Sequence, residues 1–153
     1  MSLLPIQIGS YPSPLADNPD ALGLVGRWVW LWAKKPDERT WGPVTKTVSA
    51  AGHTVTATAR VSHVVWDMGD GKTHTCWGPG TPWRRGNPEV DPKSPTCSYR
   101  YQKQGVRTIT ATSHWRVDWS GIGQRGTIHF SLDASAQIAI GELQVVNVNK
   151  PRR

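Results

Sequence analysis

From Val106 to Ser120 the chain reads V-R-T-I-T-A-T-S-H-W-R-V-D-W-S, a long run with a period of two. Ile109, Ala111, Ser113, Trp115, Val117 and Trp119 share one side. Thr108, Thr110, Thr112, His114, Arg116 and Asp118 share the other. A helix would scatter these residues around its axis, whereas a strand places them on opposite faces, one dry and one wet. A shorter stretch, Thr54 to Val61, repeats the pattern with Val55, Ala57, Ala59 and Val61 against Thr54, Thr56, Thr58 and Arg60.

The rest of the chain divides in the same manner. Arg27 to Ala33, R-W-V-W-L-W-A, predicts a strand with Trp28, Trp30 and Trp32 on one face and Val29 and Leu31 on the other. That indole row is expected to lie in the core, because buried aromatics supply the largest apolar area per residue. Further strands are expected at Val44 to Ala50, Ser62 to Trp66, Lys72 to Trp77, Cys97 to Tyr101, Thr127 to Asp133 and Gln137 to Val148, the last kinked or bulged at Gly141. Ile128, Phe130 and Leu132 are expected to point inward. With 15 glycines, 12 prolines and no amphipathic helical pattern, the expected class is an all-β antiparallel sandwich of one domain. Residues 1 to 26 read as an N-terminal extension in which Leu4 to Ile8 makes a short edge strand, residues 27 to 149 as the sandwich, and residues 150 to 153 as a basic tail.

Two short features set the corners. Trp66-Asp67-Met68-Gly69-Asp70-Gly71 ends an apolar strand in a tight turn. Asp67 and Asp70 can accept hydrogen bonds from turn N–H groups, and Gly69 and Gly71 permit positive φ. Trp66 is expected to fill the space between sheets. Gly78 to Thr96 carries five prolines and three glycines, so no regular strand can run through it. Cys76 and Cys97 flank this loop. Neither sits in a C-x-x-C pair, which argues against zinc. A bridge between them is preferred to two reduced thiols, and it implies an oxidising compartment.

The turn resembles the signature of the PKD (polycystic kidney disease) domain family, with Met68 where that family has phenylalanine. Tyr101 and Gly105 match a second family element, while Tyr99 stands for its histidine and Arg107 for an aromatic residue. The resemblance spans Val55 to Val117 and implies an immunoglobulin-like sandwich on a cell surface or secreted protein. The whole chain is also similar to the exported part of an actinobacterial family of envelope proteins. The shared stretches are Trp28 to Trp32, Trp66 to Gly71, the two cysteines, Thr110 to Trp115 and Gly141 to Val145. The N-terminus has no charged segment followed by an apolar run, so an exported protein is expected to have lost its signal or anchor ahead of Met1. No stretch is long and apolar enough to span a membrane.

Catalytic constellations are poorly represented. There is no G-x-S-x-G, no H-E-x-x-H and no Walker loop. Asp67 and Asp70 lack the frame of a calcium loop. His114 and His129 are placed as cross-strand neighbours, with His74 close by, and Asp118 is placed opposite Asp133 across a hairpin. Neither arrangement makes a metal centre or a cleft with two carboxylates. No metal, cofactor or enzymatic activity is therefore expected. A formal net charge of +7 favours acidic partners. Trp77 and Trp83 border the long loop, and Trp83-Arg84-Arg85 sets an indole beside two guanidinium groups. These four residues form the expected contact surface of a non-catalytic extracytoplasmic module that binds or scaffolds protein in an envelope or secreted assembly. The alternative is a module for wall polysaccharide, anionic glycans included, with exposed tryptophans as sugar platforms. Nucleic acid is disfavoured because no recognised binding signature occurs.

Overall fold

The computed structural model describes residues 2–86 and 89–143. Asn87 and Pro88 of the long loop, the segment from Gln144 onward with the end of the expected last strand, and the basic tail lie outside the described residues. The described chain is all β, with no helix. Its strands are β1 (Gln7–Tyr11), β2 (Gly23–Leu24), β3 (Trp28–Lys34), β4 (Val44–Ala50), β5 (His53–Asp67), β6 (Thr73–Cys76), β7 (Ser98–Arg100), β8 (Gly105–Gly121) and β9 (Gln124–Gly141).

They form two sheets. The small one has the order β1-β3-β7 and the large one β2-β9-β8-β5-β4, with β6 also on β5. All pairs are antiparallel except β2 with β9, so the large sheet is mixed where a purely antiparallel one was expected. β4 and β6 share one edge of β5: β4 pairs with residues 53–59 and β6 with 64–67. Between them lies a bulge, where the β5–β8 register shifts between Val61 and His63. The sequence carries its trace. Ala59 and Val61 are buried, and then Val64 and Trp66 are, so the dry positions change from odd to even numbers. One extra residue, Ser62, is the only way to keep both halves facing the same core.

β9 is a single strand, not the two expected. Ala134, Ser135 and Ala136 pair with Ala111, Thr110 and Ile109 without interruption. Alanine and serine are weak strand formers, but an unbroken ladder against β8 outweighs local preference. At its far end Ile128 is exposed rather than inward, while Phe130 stacks parallel to Trp115 at 6.1 Å. The N-terminal strand forms three residues later than expected, at β1, and Ile6 and Ile8 join the common core.

The core itself corrects one expectation. Val29, Leu31 and Ala33 of β3 face inward, and Trp28, Trp30 and Trp32 face out of the small sheet. The indoles at the centre come from the large sheet, where Trp66 and Trp115 are almost fully buried. Packed sheets stand only about 10 Å apart. Two indoles from one side leave room for valine, leucine and alanine opposite, not for three more tryptophans. The buried Tyr101 closes the core, donating its hydroxyl to the Met68 carbonyl at 2.7 Å. Met68 of the turn is wholly buried.

Candidate functional site

The outer face of the small sheet is built in layers. In register, Trp28 lies beside Arg100, Trp30 beside Tyr11 and Trp32 beside Gly9. The Trp32 indole lies flat on Gly9, and any side chain there would collide with the ring. Over this face folds the loop from Gly78 to Thr96. It is fixed at its base by the Cys76–Cys97 disulfide, with Cα atoms 5.8 Å apart. The Ala33 N–H donates to the Pro79 carbonyl at 2.7 Å, and a single bridge joins Trp32 to Gly80.

Prolines leave this loop short of donors, so it is held through its acceptors. The Trp28 N–H donates to Asp91 Oδ1 at 3.0 Å, Trp30 Nε1 to the Pro92 carbonyl at 2.8 Å, and Arg27 Nη1 to the Val90 carbonyl at 3.1 Å. Near the disulfide, the Ser94 hydroxyl accepts from the N–H groups of Thr96 and Cys97. Between loop and N-terminal segment remains a cavity of about 200 Å³, walled by Tyr11, Leu22, Trp28, Trp83 and Val90 among others. Broader depressions of about 470 and 480 Å³ flank it, one beside Tyr11, Trp32 and Arg85 and the other beneath Arg84 and Lys93.

Cations frame these hollows. The Arg100 guanidinium lies 3.9 Å from the Trp28 ring centre and Lys93 Nζ 4.8 Å from it, within cation–π range. Arg84 and Arg85 are exposed. Trp83 is half-buried and stacked face to face on Tyr11, with ring centres 3.8 Å apart. Trp83, Arg84 and Arg85 therefore share these hollows with Tyr11, Arg27, Trp28 and Lys93, and Arg100 stacks on Trp28 beside them. The latter five were not among the expected contact residues. No local spacing links Tyr11 to Trp83; only the pairing of β1 with β3 does.

Trp77 does not join them. It is 74% exposed and sits on His63 of the large sheet, with ring centres 4.6 Å apart. The histidine neighbours also differ from expectation. His63 stacks on His114 at 4.5 Å, while His129 pairs with Arg116. The bulge is the reason, since it sets His63 directly across from His114. His74 lies elsewhere, near Tyr99 and within 4.8 Å of both cysteine sulfurs. Those sulfurs are bonded to each other, and a metal would need them as thiolates. Burial, then Lys93, holds the His74 imidazole below its ordinary range.

At the turn, Asp67 Oδ1 accepts from the Gly69 N–H at 2.9 Å and Asp70 Oδ1 from the Lys72 N–H at 3.0 Å. Gly69 adopts φ +75° with the Thr108 backbone too close for any side chain, while Gly71 has φ +86°. Asp70 Oδ2 accepts the Tyr99 hydroxyl, and burial together with this carboxylate pushes Tyr99 up to about 12. Trp66 ends the strand with its ring in the core. These carboxylates serve the corner. Asp118 and Asp133 are not opposite one another: Asp118 bonds Thr127 and Arg116, and Asp133 bonds Thr112. The Thr127 hydroxyl, then Arg116, holds Asp118 below the usual carboxylate range, the reverse of what a general acid requires.

No family model, curated protein or solved structure matches this chain.

Proposed function

We propose that this chain is a non-catalytic, extracytoplasmic interaction module, a divergent PKD-like immunoglobulin-type sandwich that makes protein contacts within a cell-envelope or secreted assembly. The disulfide suits an oxidising compartment. Among the described residues no helix is long and apolar enough to cross a membrane. The two elements that carry the PKD resemblance touch each other through the Tyr101–Met68 hydrogen bond, which supports treating them as one structural unit.

The observation that carries the reading is the cleft on the small sheet. Its central cavity of about 200 Å³ is smaller than the roughly 300–1,000 Å³ of small-molecule sites, and the depressions of about 470 and 480 Å³ that flank it are more open. It matches one inserted side chain. Aromatic walls with arginines on the rim are the usual make-up of a protein hot spot. The partner is a protein segment presenting an apolar or aromatic anchor flanked by acidic residues, which answer Arg84, Arg85 and Lys93.

A peptide array of such segments tests this. Binding should weaken at least about tenfold in a Trp83→Ala/Arg84→Ala variant of unchanged thermal stability. Equal binding by that variant removes the loop from the contact surface. The polysaccharide reading keeps one supporting observation, the open Trp77 ring. The small-sheet indoles are less suited to it, because Trp30 is buried and Trp83 is covered on one face by Tyr11.

A further inference from the structure

The opposite side of the molecule carries a second, chemically different surface. On the outer face of the large sheet, register places Arg60 beside Arg116, Arg116 beside His129, and His63 beside His114. All five therefore point the same way. The bulge at Ser62 turns His63 onto His114, and the exposed Trp77 closes over His63. Ser62 Oγ lies 2.7 Å from His63 Nδ1 and 3.2 Å from the His114 carbonyl. A hydroxyl has one hydrogen, and the carbonyl can only accept it. When the hydroxyl donates to that carbonyl, Nδ1 of His63 donates to Oγ, and Nε2 is the ring nitrogen open to a further proton.

We propose that this face is a binding site for an acidic polysaccharide, a chain of sugar rings bearing carboxylates, and that it tightens on mild acidification. The charge count supports this. The titratable groups on the face are Arg60, His63 and Asp67 from β5, His114, Arg116 and Asp118 from β8, and Arg125, His129 and Asp133 from β9. With neutral imidazoles the three arginines are balanced by the three aspartates. With all three imidazoles protonated the surface gains three positive charges in two adjoining rows of the sheet. Burial, then the neighbouring His114, lowers the His63 imidazole from its ordinary value of 6.5, so the change falls in the acid range. Stacked imidazolium ions repel each other, and a bound polyanion relieves the repulsion; protonation and binding therefore reinforce each other. Trp77 supplies an open indole face on which a sugar ring can stack. The disulfide favours a compartment where glycans, rather than nucleic acids, are the abundant polyanions.

The test is binding of polygalacturonate by the intact chain at low salt, followed by calorimetry, at about pH 5 and about pH 7.5. Affinity should rise about tenfold on acidification, weaken about fivefold in Trp77→Ala, and lose its pH dependence in a His63→Gln/His114→Gln/His129→Gln variant. His53→Gln, at the far end of β5, should keep the full pH dependence. In the wild type, the imidazole resonances of His63 should titrate at higher pH with the polymer present, which gives a readout that needs no variant. The proposal is overturned by no binding at about pH 5, by pH-dependent binding that survives the triple variant, or by equal binding of neutral pullulan. Equal affinity for duplex DNA also overturns it, since the surface would then be a general polyanion attractor. Loss of binding in Arg84→Ala/Arg85→Ala but not in the histidine variant would move the site to the loop.

Discussion

The two outer faces of this protein begin from the same alternating pattern and end differently. On the small sheet the outward residues are Trp28, Trp30 and Trp32, and a proline-rich loop lies over them. On the large sheet they are threonines, serines, histidines and charges, paired across strands as Thr45–Thr58, Thr47–Thr56, Ser49–Thr54 and Thr110–Ser135. That face stays open. A strand pattern therefore specifies two sides but not which of them meets the core. An apolar row facing outward recruits a second cover from elsewhere in the chain, whereas a hydroxyl row needs only water and its neighbours.

The strongest way to break this contrast is to remove an indole from the true core. Trp115→Ala should cost about 3–5 kcal/mol in urea unfolding, and Trp28→Ala, beneath the loop, less than about 2. A similar cost at both sites would mean that the loop-clad face is as much core as the interior. Next comes the loop's anchor. Replacing Cys76 and Cys97 by serine should remove about 3 kcal/mol by the chain-entropy account and expose residues 78–96 to limited proteolysis, leaving β8 and β9 resistant. Protection of the loop in that variant would show that its acceptor bonds to Trp28 and Trp30 suffice.

Tyr101→Phe comes third. It strands the buried Met68 carbonyl and should cost about 1–2 kcal/mol with no change in the disulfide. Acidification is expected to do less to stability and to act through two imidazoles, His63 on the open face and His74 beside the disulfide. The folded state holds the His63 imidazole below 6.5, so the unfolded chain takes up its proton first. The resulting stability is present above pH 6.5 and is lost as pH falls through the folded value. Because His63 is only partly covered the loss is small, and Trp77 fluorescence is the sensitive probe. The smallest effect belongs to the hydroxyl ladder: Thr47→Val should stay within about 0.5 kcal/mol of the parent.

Much of the architecture could be read from residue order. The turn at Asp67 to Gly71, the pairing of β5 with β6, the long β8 and the cysteine bridge all rest on local patterns or on two unique partners. The candidate site was only half legible. Trp83, Arg84 and Arg85 are conspicuous as a triplet beside prolines. Tyr11, Trp28, Lys93 and Arg100 join them through strand pairing and loop return, which leave no periodic mark. The Ser62 bulge lies between these cases. Its sign is the change from odd to even buried positions, visible in Ala59, Val61, Val64 and Trp66.

What the amino-acid order determined by itself was the set of strands, the two sides of each, and the chemistry each side offers. Alternation follows from backbone geometry, which every residue carries locally. What only the folded molecule decided was which side turned inward. Valine, leucine and alanine of β3 fit against Trp66 and Trp115 across a gap of fixed width, and three more indoles do not. That choice depends on the summed volume of side chains from both sheets, a quantity that no single strand contains.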